Sequence, residues 1–228
     1  PRARDRRWWR LLAPWMLAAR LDAPRALCAV APDEGELLTR ARDGDPNAFA
    51  QLFRRNVDAV YAQLTRLIGP DPEREDLTQE VFIGAYRGLN RFRGEAAFST
   101  WLHRIVVHVA YNHLRRRRPL PLSPEVLDAV DWGIDSQTPE RDALTREEVS
   151  AVFSCLERIK PKKRIAFVLR VVEGLSLSEI GELVDATPAA VGQRVRHAQR
   201  ELDAMLERLE RRRGRTSASK VPEGGGER

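Results

Sequence analysis

The stretch LSLSEIGELVDATPAAVGQRVRHAQREL, residues 175–202, decides the fold of the second half of the chain. Its first part carries apolar side chains at helical spacing, namely Leu177, Ile180, Leu183 and Val184. After a three-residue break, Thr187 can cap a second helix that has Pro188 at its first position, where the missing N–H costs nothing. Two short helices joined by a tight turn are typical of a helix-turn-helix unit.

The second helix of this unit has a narrow apolar stripe and a polar, basic outer side. The stripe consists of Val191, Val195, Ala198 and Leu202. The outer side shows Ala189, Gln193, Arg196, His197 and Arg200. Glutamine and arginine can read base edges through two-pronged hydrogen bonds, while other arginines hold phosphates. An ordinary helical hairpin with a solvated basic face is the alternative, but the caps, the turn length and the charged face together favour DNA reading.

Outside this unit the sequence predicts further helices and no strand. Asp45 can cap a helix that starts at Pro46, and prolines with weak periodicity mark residues 119–138 as a linker. The predicted helices cover about residues 46–68, 72–89, 99–118, 139–157, 161–173, 176–184 and 188–210. The predicted fold class is therefore all-α, with two small helical domains joined by a linker. The predicted divisions are an N-terminal extension, 1–35; a first domain, 36–118; the linker, 119–138; a helix-turn-helix domain, 139–210; and a disordered basic tail, 211–228.

The charge balance of the 228 residues favours an anionic partner. Lys and Arg number 39 against 33 Asp and Glu, which gives a net charge of +6, and an excess of this kind suits nucleic acid or a membrane surface. No apolar run is long enough to span a bilayer. The two cysteines, Cys28 and Cys155, lie far apart and outside any metal-ligand spacing, so neither a disulfide scaffold nor a metal site is predicted and a reducing compartment is indicated.

The N-terminal stretch RDRRWWRLLAPWMLAARL, residues 4–21, has a basic head and an apolar middle, as secretory signals do. Arg10, Pro14 and Arg20 interrupt it. A flexible or weakly helical extension is therefore the favoured interpretation.

The predicted helix PEREDLTQEVFIGAYRGL, residues 72–89, has two distinct faces. Its buried stripe is predicted to consist of Leu77, Val81, Ala85 and Leu89, flanked by Phe82 and Tyr86. Another face groups Asp76, Gln79, Glu80, Ile83 and Arg87 by three- and four-residue steps. An acidic face with an aliphatic residue, on a basic protein, suggests a protein partner. A merely solvated face is equally consistent with the spacing.

The stretch FRGEAAFSTWLHRIVVHVAYNHLRRRRP, residues 92–119, has aromatics at the start of a predicted helix and four arginines at its end. One side of that helix is apolar, and the other groups Arg104, His108, Tyr111, Asn112 and Arg115. Single-stranded nucleic acid binds to such combinations, because bases stack on rings while basic groups follow the backbone. Alternatively Phe98 and Trp101 belong to the core, and of the two we expect Trp101 there.

These stretches resemble a known family. Residues 76–119, DLTQEVFIGAYRGLNRFRGEAAFSTWLHRIVVHVAYNHLRRRRP, resemble region two of bacterial sigma factors of the extracytoplasmic-function (ECF) group. Residues 160–202, KPKKRIAFVLRVVEGLSLSEIGELVDATPAAVGQRVRHAQREL, resemble region four of the same group. The order, spacing and linker also fit, and the similarity extends over about residues 36–210.

The resemblance implies an alternative sigma factor that binds core RNA polymerase, recognises the −10 and −35 promoter elements and promotes initiation. Such a protein is not an enzyme, acts in the cytoplasm, and needs no cofactor, metal or small-molecule substrate. The partners that it implies are core RNA polymerase, promoter DNA and an anti-sigma factor.

The resemblance also assigns roles to residues. The implied polymerase-binding residues are Asp76, Gln79, Glu80 and Ile83. The implied −10 residues are Arg91, Arg93, Phe98, Ser99, Thr100, Trp101, Arg104, His108, Tyr111 and Arg115. The implied −35 residues are Gln193, Arg194, Arg196, His197 and Arg200. The chain departs from the family pattern at Ala190 and Gly192, where a hydroxyl and a basic residue are common.

Two other classes of protein remain as alternatives. A plain helix-turn-helix regulator would account for the second domain and leave the first without a role. A nuclease or recombinase would need clustered carboxylates or a placed nucleophile. Asp76 and Glu80 share a helix face, but the sequence offers no evident third ligand.

Overall fold

A computed structural model describes residues 33–69, 71–117 and 151–218, and every regular element in these ranges is helical. The all-α prediction is therefore confirmed. The elements are α1, Glu34–Arg42; α2, Pro46–Ile68; α3, Arg74–Gly88; a 3-10 turn, Leu89–Arg91; α4, Phe98–Arg116; a helical segment, residues 151–156; α5, Pro161–Val171; α6, Leu177–Val184; and α7, Pro188–Ala218. Within these ranges, no helix combines the length and the apolar character that a membrane span requires.

The first domain consists of α1 to α4, and α2, α3 and α4 pack against one another. Helix α2 begins as predicted, because the Asp45 side chain accepts hydrogen bonds from the N–H groups of Asn47 at 2.9 Å and Ala48 at 3.3 Å. These bonds satisfy donors that the first turn of a helix cannot pair internally. The fully buried core side chains of this domain include Leu52, Val60, Leu64, Val81, Leu102 and Val106.

The second domain contains the predicted helix-turn-helix unit, formed by α6 and α7. A capping box starts α6: Glu179 N–H donates to Ser176 Oγ at 3.2 Å, and Ser176 N–H donates to Glu179 Oε2 at 2.7 Å. The turn is tight at Gly181, where an added Cβ would lie 2.5 Å from the carbonyl oxygen of Ala186. A residue other than glycine would force that turn apart.

Some boundaries differ from those predicted. Helix α3 begins at Arg74 rather than near residue 72, because the Asp71 side chain accepts the N–H of Glu73 at 2.9 Å and holds a turn there. Helix α7 continues to Ala218 rather than to about residue 210, and Arg211 pairs with Glu207 one turn earlier at 3.3 Å. Residues 1–32, the predicted linker, the start of the helix predicted from residue 139, and residues 219–228 lie outside the described residues.

The two domains pack against each other. Helix α4 lies against α5 and α6, and α2 lies against α5. The last turn of α2 is buried on every side, although an amphipathic helix normally leaves one side to solvent. We name this contact the domain seam; its polar members are Gln63, Arg66, Asp71, His103 and Arg117 of the first domain and Glu157, Arg164 and Glu173 of the second.

Candidate functional site

The outer face of α3 presents all four candidate polymerase-binding residues to solvent. Asp76, Gln79, Glu80 and Ile83 are exposed, and Ile83 retains 49% of its surface. The opposite side of the helix is buried in the core through Leu77, Val81 and Ala85. The structure therefore brings the four residues together on one accessible surface.

Tyr86 extends this surface, which the sequence analysis missed. The sequence predicted that Tyr86 flanks the buried stripe, and this prediction is wrong, since the side chain is 55% exposed. Its ring rests edge-on against Phe49 of α2, with 4.9 Å between the ring centroids. Its spacing of three residues from Ile83 was the available signal. We name Ile83 and Tyr86 together the α3 apolar patch.

The aromatics at the start of α4 form a packed cluster. Phe98 is only 3% exposed, and its ring centroid lies 6.0 Å from that of Phe92 and 5.7 Å from that of Trp101. Trp101 is half-buried. The expectation that Trp101 occupies the core in preference to Phe98 is therefore wrong, because Phe92 folds back beneath α4 and encloses Phe98.

The remaining candidate −10 residues divide by exposure. Ser99 is buried with Phe98, so neither side chain meets solvent in this structure. Tyr111 is half-buried. The exposed candidates follow the loop and one side of α4: Arg91, Arg93, Thr100, Arg104, His108 and Arg115.

Arg42 of α1 supports the loop that carries Arg91 and Arg93. Its guanidinium donates to the backbone carbonyl of Phe92 and lies 5.4 Å from the centroid of the Phe92 ring. A cation over an aromatic face is attractive, particularly where water is excluded. The base of the loop is thus held by the first helix, which the sequence analysis left without a role.

A buried ionic cluster lies at the end of α4. Asp71 Oδ2 lies 2.7 Å from both His113 Nε2 and Arg117 Nη1. Burial on its own would raise the pKa of Asp71, but the His113 hydrogen bond, the Glu73 N–H and the Arg117 charge together hold it below the ordinary carboxyl value. Asp71 is therefore charged at neutral pH and ties the chain before α3 to α4.

The candidate −35 residues gather on one side of α7. Gln193, Arg196 and Arg200 are exposed, while Arg194 and His197 are half-buried. Gly192 is buried among them, and a Cβ added there would lie 3.4 Å from both Arg196 Nη1 and Leu177 Cδ1. This is ordinary van der Waals contact, so nothing in the packing at this position requires glycine.

A cleft of about 660 Å³ lies between the domains. Residues from both candidate DNA-binding groups line it, namely Arg104, His108, Tyr111 and Arg194. The structure therefore brings three −10 candidates and one −35 candidate to the same cleft. The part of the chain that the structure describes contains no group of three His, Cys, Asp or Glu side chains placed to hold a metal ion.

Two family models match the chain in the order that the fold displays. The model described as Sigma-70 region 2 matches residues 52–119, which span α2 to α4. The model described as Sigma-70, region 4 matches residues 150–202, which include the helix-turn-helix unit. A plain helix-turn-helix regulator would account for the second match only.

Two related proteins and one solved structure agree with these matches. The ECF RNA polymerase sigma-E factor of Haemophilus influenzae is 34% identical over 180 residues, which cover 76% of this chain and 95% of that protein. The RNA polymerase sigma-H factor of Pseudomonas aeruginosa is 35% identical over 182 residues, covering 76% and 94% of the two chains. The fold matches that of CnrH, solved in complex with the cytosolic domain of CnrY, with a TM-score of 0.52, 24% identity and coverage of 78% and 98%. This chain therefore belongs to the extracytoplasmic-function (ECF) sigma factors, which join RNA polymerase, recognise promoters and start transcription.

Proposed function

We propose that this sigma factor docks on core RNA polymerase through the outer face of α3 and recognises the promoter through two separate faces. The loop at residues 91–97 and the exposed side of α4 meet the −10 element, and the start of α7 reads the −35 element. The observation that carries the proposal is the α3 surface, where exposed Asp76 and Glu80 adjoin the α3 apolar patch. An exposed apolar patch rimmed by charges is typical of a protein–protein interface.

The proposal includes a protein inhibitor. CnrH, whose fold this chain shares, was solved in complex with the cytosolic domain of CnrY. We propose that an anti-sigma factor likewise binds this chain. The proposed function of the sigma factor requires no covalent chemistry by the chain itself. It takes place in the cytoplasm, where RNA polymerase and DNA meet.

Reconstituted transcription tests the proposed function. The purified full-length chain is mixed with core RNA polymerase and genomic DNA fragments, and the RNA 5′ ends and the co-purifying DNA are sequenced. The proposal expects transcripts that start only when the chain is present and that share two upstream sequence elements. If the chain does not bind core polymerase in the absence of any inhibitor, the proposal is wrong.

Replacing Arg196 should relax sequence preference at the −35 element. Arg196 is exposed on the outer side of α7, where a guanidinium can make two hydrogen bonds to one guanine. Arg196→Ala should cost about 1–3 kcal/mol at particular base pairs, measured as binding to a set of single-base −35 variants. We expect Arg200, about one turn further along α7, to lie nearer phosphate, so Arg200→Ala is the matched control and should weaken binding to every variant alike. The same uniform loss for Arg196→Ala would show that Arg196 holds only phosphate.

Combining Arg93→Ala with Thr100→Ala should impair promoter opening more than initial binding. Both side chains are exposed, at the loop and at the start of α4. If this region holds single-stranded bases, as proposed, these side chains meet the bases only after the duplex opens. Phe98 is unsuitable for this test, because emptying a buried aromatic site costs about 3–5 kcal/mol of stability.

A template already mismatched across the −10 element should rescue the Arg93 and Thr100 double variant, as followed by permanganate footprinting. Arg54→Ala, which removes an exposed charge from α2, is the control. Equal defects on duplex and mismatched templates would refute base capture by this loop.

A further inference from the structure

The loop at residues 91–97 has little internal support. Residues 93–97 are all exposed, and the ion pair between Arg93 Nη1 and Glu95 Oε1 is 3.8 Å long, with 83% and 78% of the two side chains exposed. Exposed pairs of this kind contribute little to stability. Gly94 has a φ of +75°, and a Cβ added there would meet no atom within 4 Å. The shape of the loop therefore depends on what holds its two ends.

The two ends of the loop are held by different parts of the first domain. At the second end, the carbonyl oxygen of Ala97 accepts a hydrogen bond from the N–H of Trp101 in α4, at 3.2 Å. At the first end, the ring of Phe92 is buried, with its centroid 5.2 Å from that of Trp101. The Phe92 carbonyl accepts a hydrogen bond from the guanidinium of Arg42, which lies 50 positions earlier in the chain. Because this carbonyl shares a planar peptide unit with the N–H of Arg93, the direction in which the loop leaves the core depends on Arg42.

Helix α1 gives Arg42 a fixed position. Its side chains Leu37 and Ala41 are each only 4% exposed, and the helix packs against α2 and against the 3-10 turn that precedes the loop. In its last turn, Arg40 donates through Nε and Nη2 to Asp45 Oδ2, at 3.0 and 2.7 Å. Asp45 also caps α2, so the end of α1 is tied to the start of the next helix. The backbone that carries Arg42 is therefore anchored on the domain core.

The guanidinium of Arg42 is directed at the loop. Its Nη2 donates to the Phe92 carbonyl, and its Cζ lies 5.4 Å from the centroid of the Phe92 ring. Its Nε is buried without a hydrogen-bond partner. An unpaired buried N–H is unfavourable, so this arrangement requires compensation from the charge-assisted hydrogen bond and the cation–ring contact of the same side chain.

We infer that Arg42 is a positioning residue for the −10 element, which holds the 91–97 loop, through the carbonyl and the ring of Phe92, in the shape that accepts one particular unpaired base. The inference rests on the proposed role of this loop. Arg42 itself lies behind the loop and acts through Phe92. Helix α1 thereby contributes to promoter choice, although none of its residues belongs to a candidate DNA-binding group.

Preorganisation explains why such a residue affects base selectivity. A loop that is already held in one shape loses little conformational freedom when it binds a base that fits this shape. Without the support, the loop populates other shapes, and its affinity for the fitting base falls with the fraction that stays competent. Bases that do not fit gain nothing from the original shape, so their affinities change less. The ratio between the two affinities should therefore decrease.

Arg42→Met tests the inference in the full-length chain assembled with core RNA polymerase. The probes are single-stranded oligonucleotides that carry the −10 element of a promoter recovered by the reconstitution, with each of the four bases at each position. Methionine keeps an unbranched stem and removes both the hydrogen-bond donors and the charge. The ratio between the Kd values of the worst and the best base should fall about tenfold at one position, because the competent fraction of the loop decreases. Co-purification of core polymerase should be unchanged.

Two further variants separate positioning from stability. Arg42→Lys keeps the charge but not the planar fork, so it should retain part of the ratio, and it takes the place of Arg42→Met if that variant does not fold. Arg40→Met removes the neighbouring arginine of α1, whose hydrogen bonds go to Asp45, and should keep the wild-type ratio. Unfolding in urea compares the stabilities of the three variants.

Two results would overturn the inference. One is a ratio for Arg42→Met equal to that of the wild type, and the other is an equal decrease for Arg40→Met, which would assign the effect to general loosening of α1. Failure of the proposed function would show separately. If the Arg93 and Thr100 double variant keeps the wild-type ratio, the loop does not read the −10 element and the inference falls with it. If that double variant loses the ratio and Arg42→Met keeps it, the loop retains its role and Arg42 only supports the fold.

Discussion

The variant that combines Asp76→Arg with Glu80→Arg is expected to lose core RNA polymerase almost completely. Both carboxylates are exposed on the outer face of α3, beside the α3 apolar patch. Basic groups on the polymerase should face them, and reversing both charges brings like charges together across the interface, which is strongly unfavourable. The measurement is co-purification of core polymerase with the tagged chain.

This charge reversal should leave the fold intact, because α3 packs through Leu77, Val81 and Ala85 on its other side. Circular dichroism provides that control. Asp58→Arg reverses a single charge at an exposed position of α2, outside the α3 surface, and should retain polymerase. If the double variant co-purifies with polymerase as well as the wild type does, the docking surface lies elsewhere on the molecule.

Asp71→Ala is expected to destabilise the protein by about 3–5 kcal/mol. Asp71 is 2% exposed and pairs at 2.7 Å with both His113 and Arg117. Its removal takes the closest partner from both buried groups, and only the longer contacts to Glu73 and Glu157 remain, at 3.7 and 3.5 Å. The free energy of unfolding in urea at neutral pH measures the loss, with Asp58→Ala as the exposed control. A loss no larger than that of Asp58→Ala would contradict the structural role of the cluster.

Lowering the pH should remove the contribution of the same cluster to stability. The pKa of Asp71 lies below its ordinary value of 3.8 in the folded chain, so its contribution to stability is present above that value and is lost as the pH falls through the lower folded value. The free energies of unfolding of the wild type and of Asp71→Ala should therefore differ most at neutral pH. They should converge as the pH drops well below 3.8. Parallel unfolding free energies across this range would show that Asp71 is not the group that titrates.

Local chemistry explains which parts of the fold could be predicted from the sequence. Asp45 before Pro46 and Thr187 before Pro188 fix helix starts through contacts of two or three residues, and α2 and α7 begin there. The acidic face of α3 was also predictable from local sequence, because the helical repeat determines which side chains lie on the same side.

Burial that depends on distant residues could not be predicted in this way. Phe98 and Trp101 both suit an apolar site, and their order of burial follows from the path of Phe92, which no periodic pattern encodes. The domain seam is a stronger case. Arg66 and Glu173 are 107 positions apart in the sequence. From the sequence alone each would be predicted to be a solvated surface charge, and only the packing of the two domains brings them together.

Helix α7 contains 31 residues and is about 46 Å long. Its first turns carry the side chains that we propose to face DNA, and the buried stripe that anchors it runs as far as Leu206. The first turns and the buried stripe belong to one continuous helix. Repacking beneath the stripe, for instance at the fully buried Ala198, would therefore rotate the proposed DNA-facing turns through the same angle. Promoter preference can therefore drift between relatives whose DNA-facing residues are identical, and a recognition code built from those residues alone would miss the change.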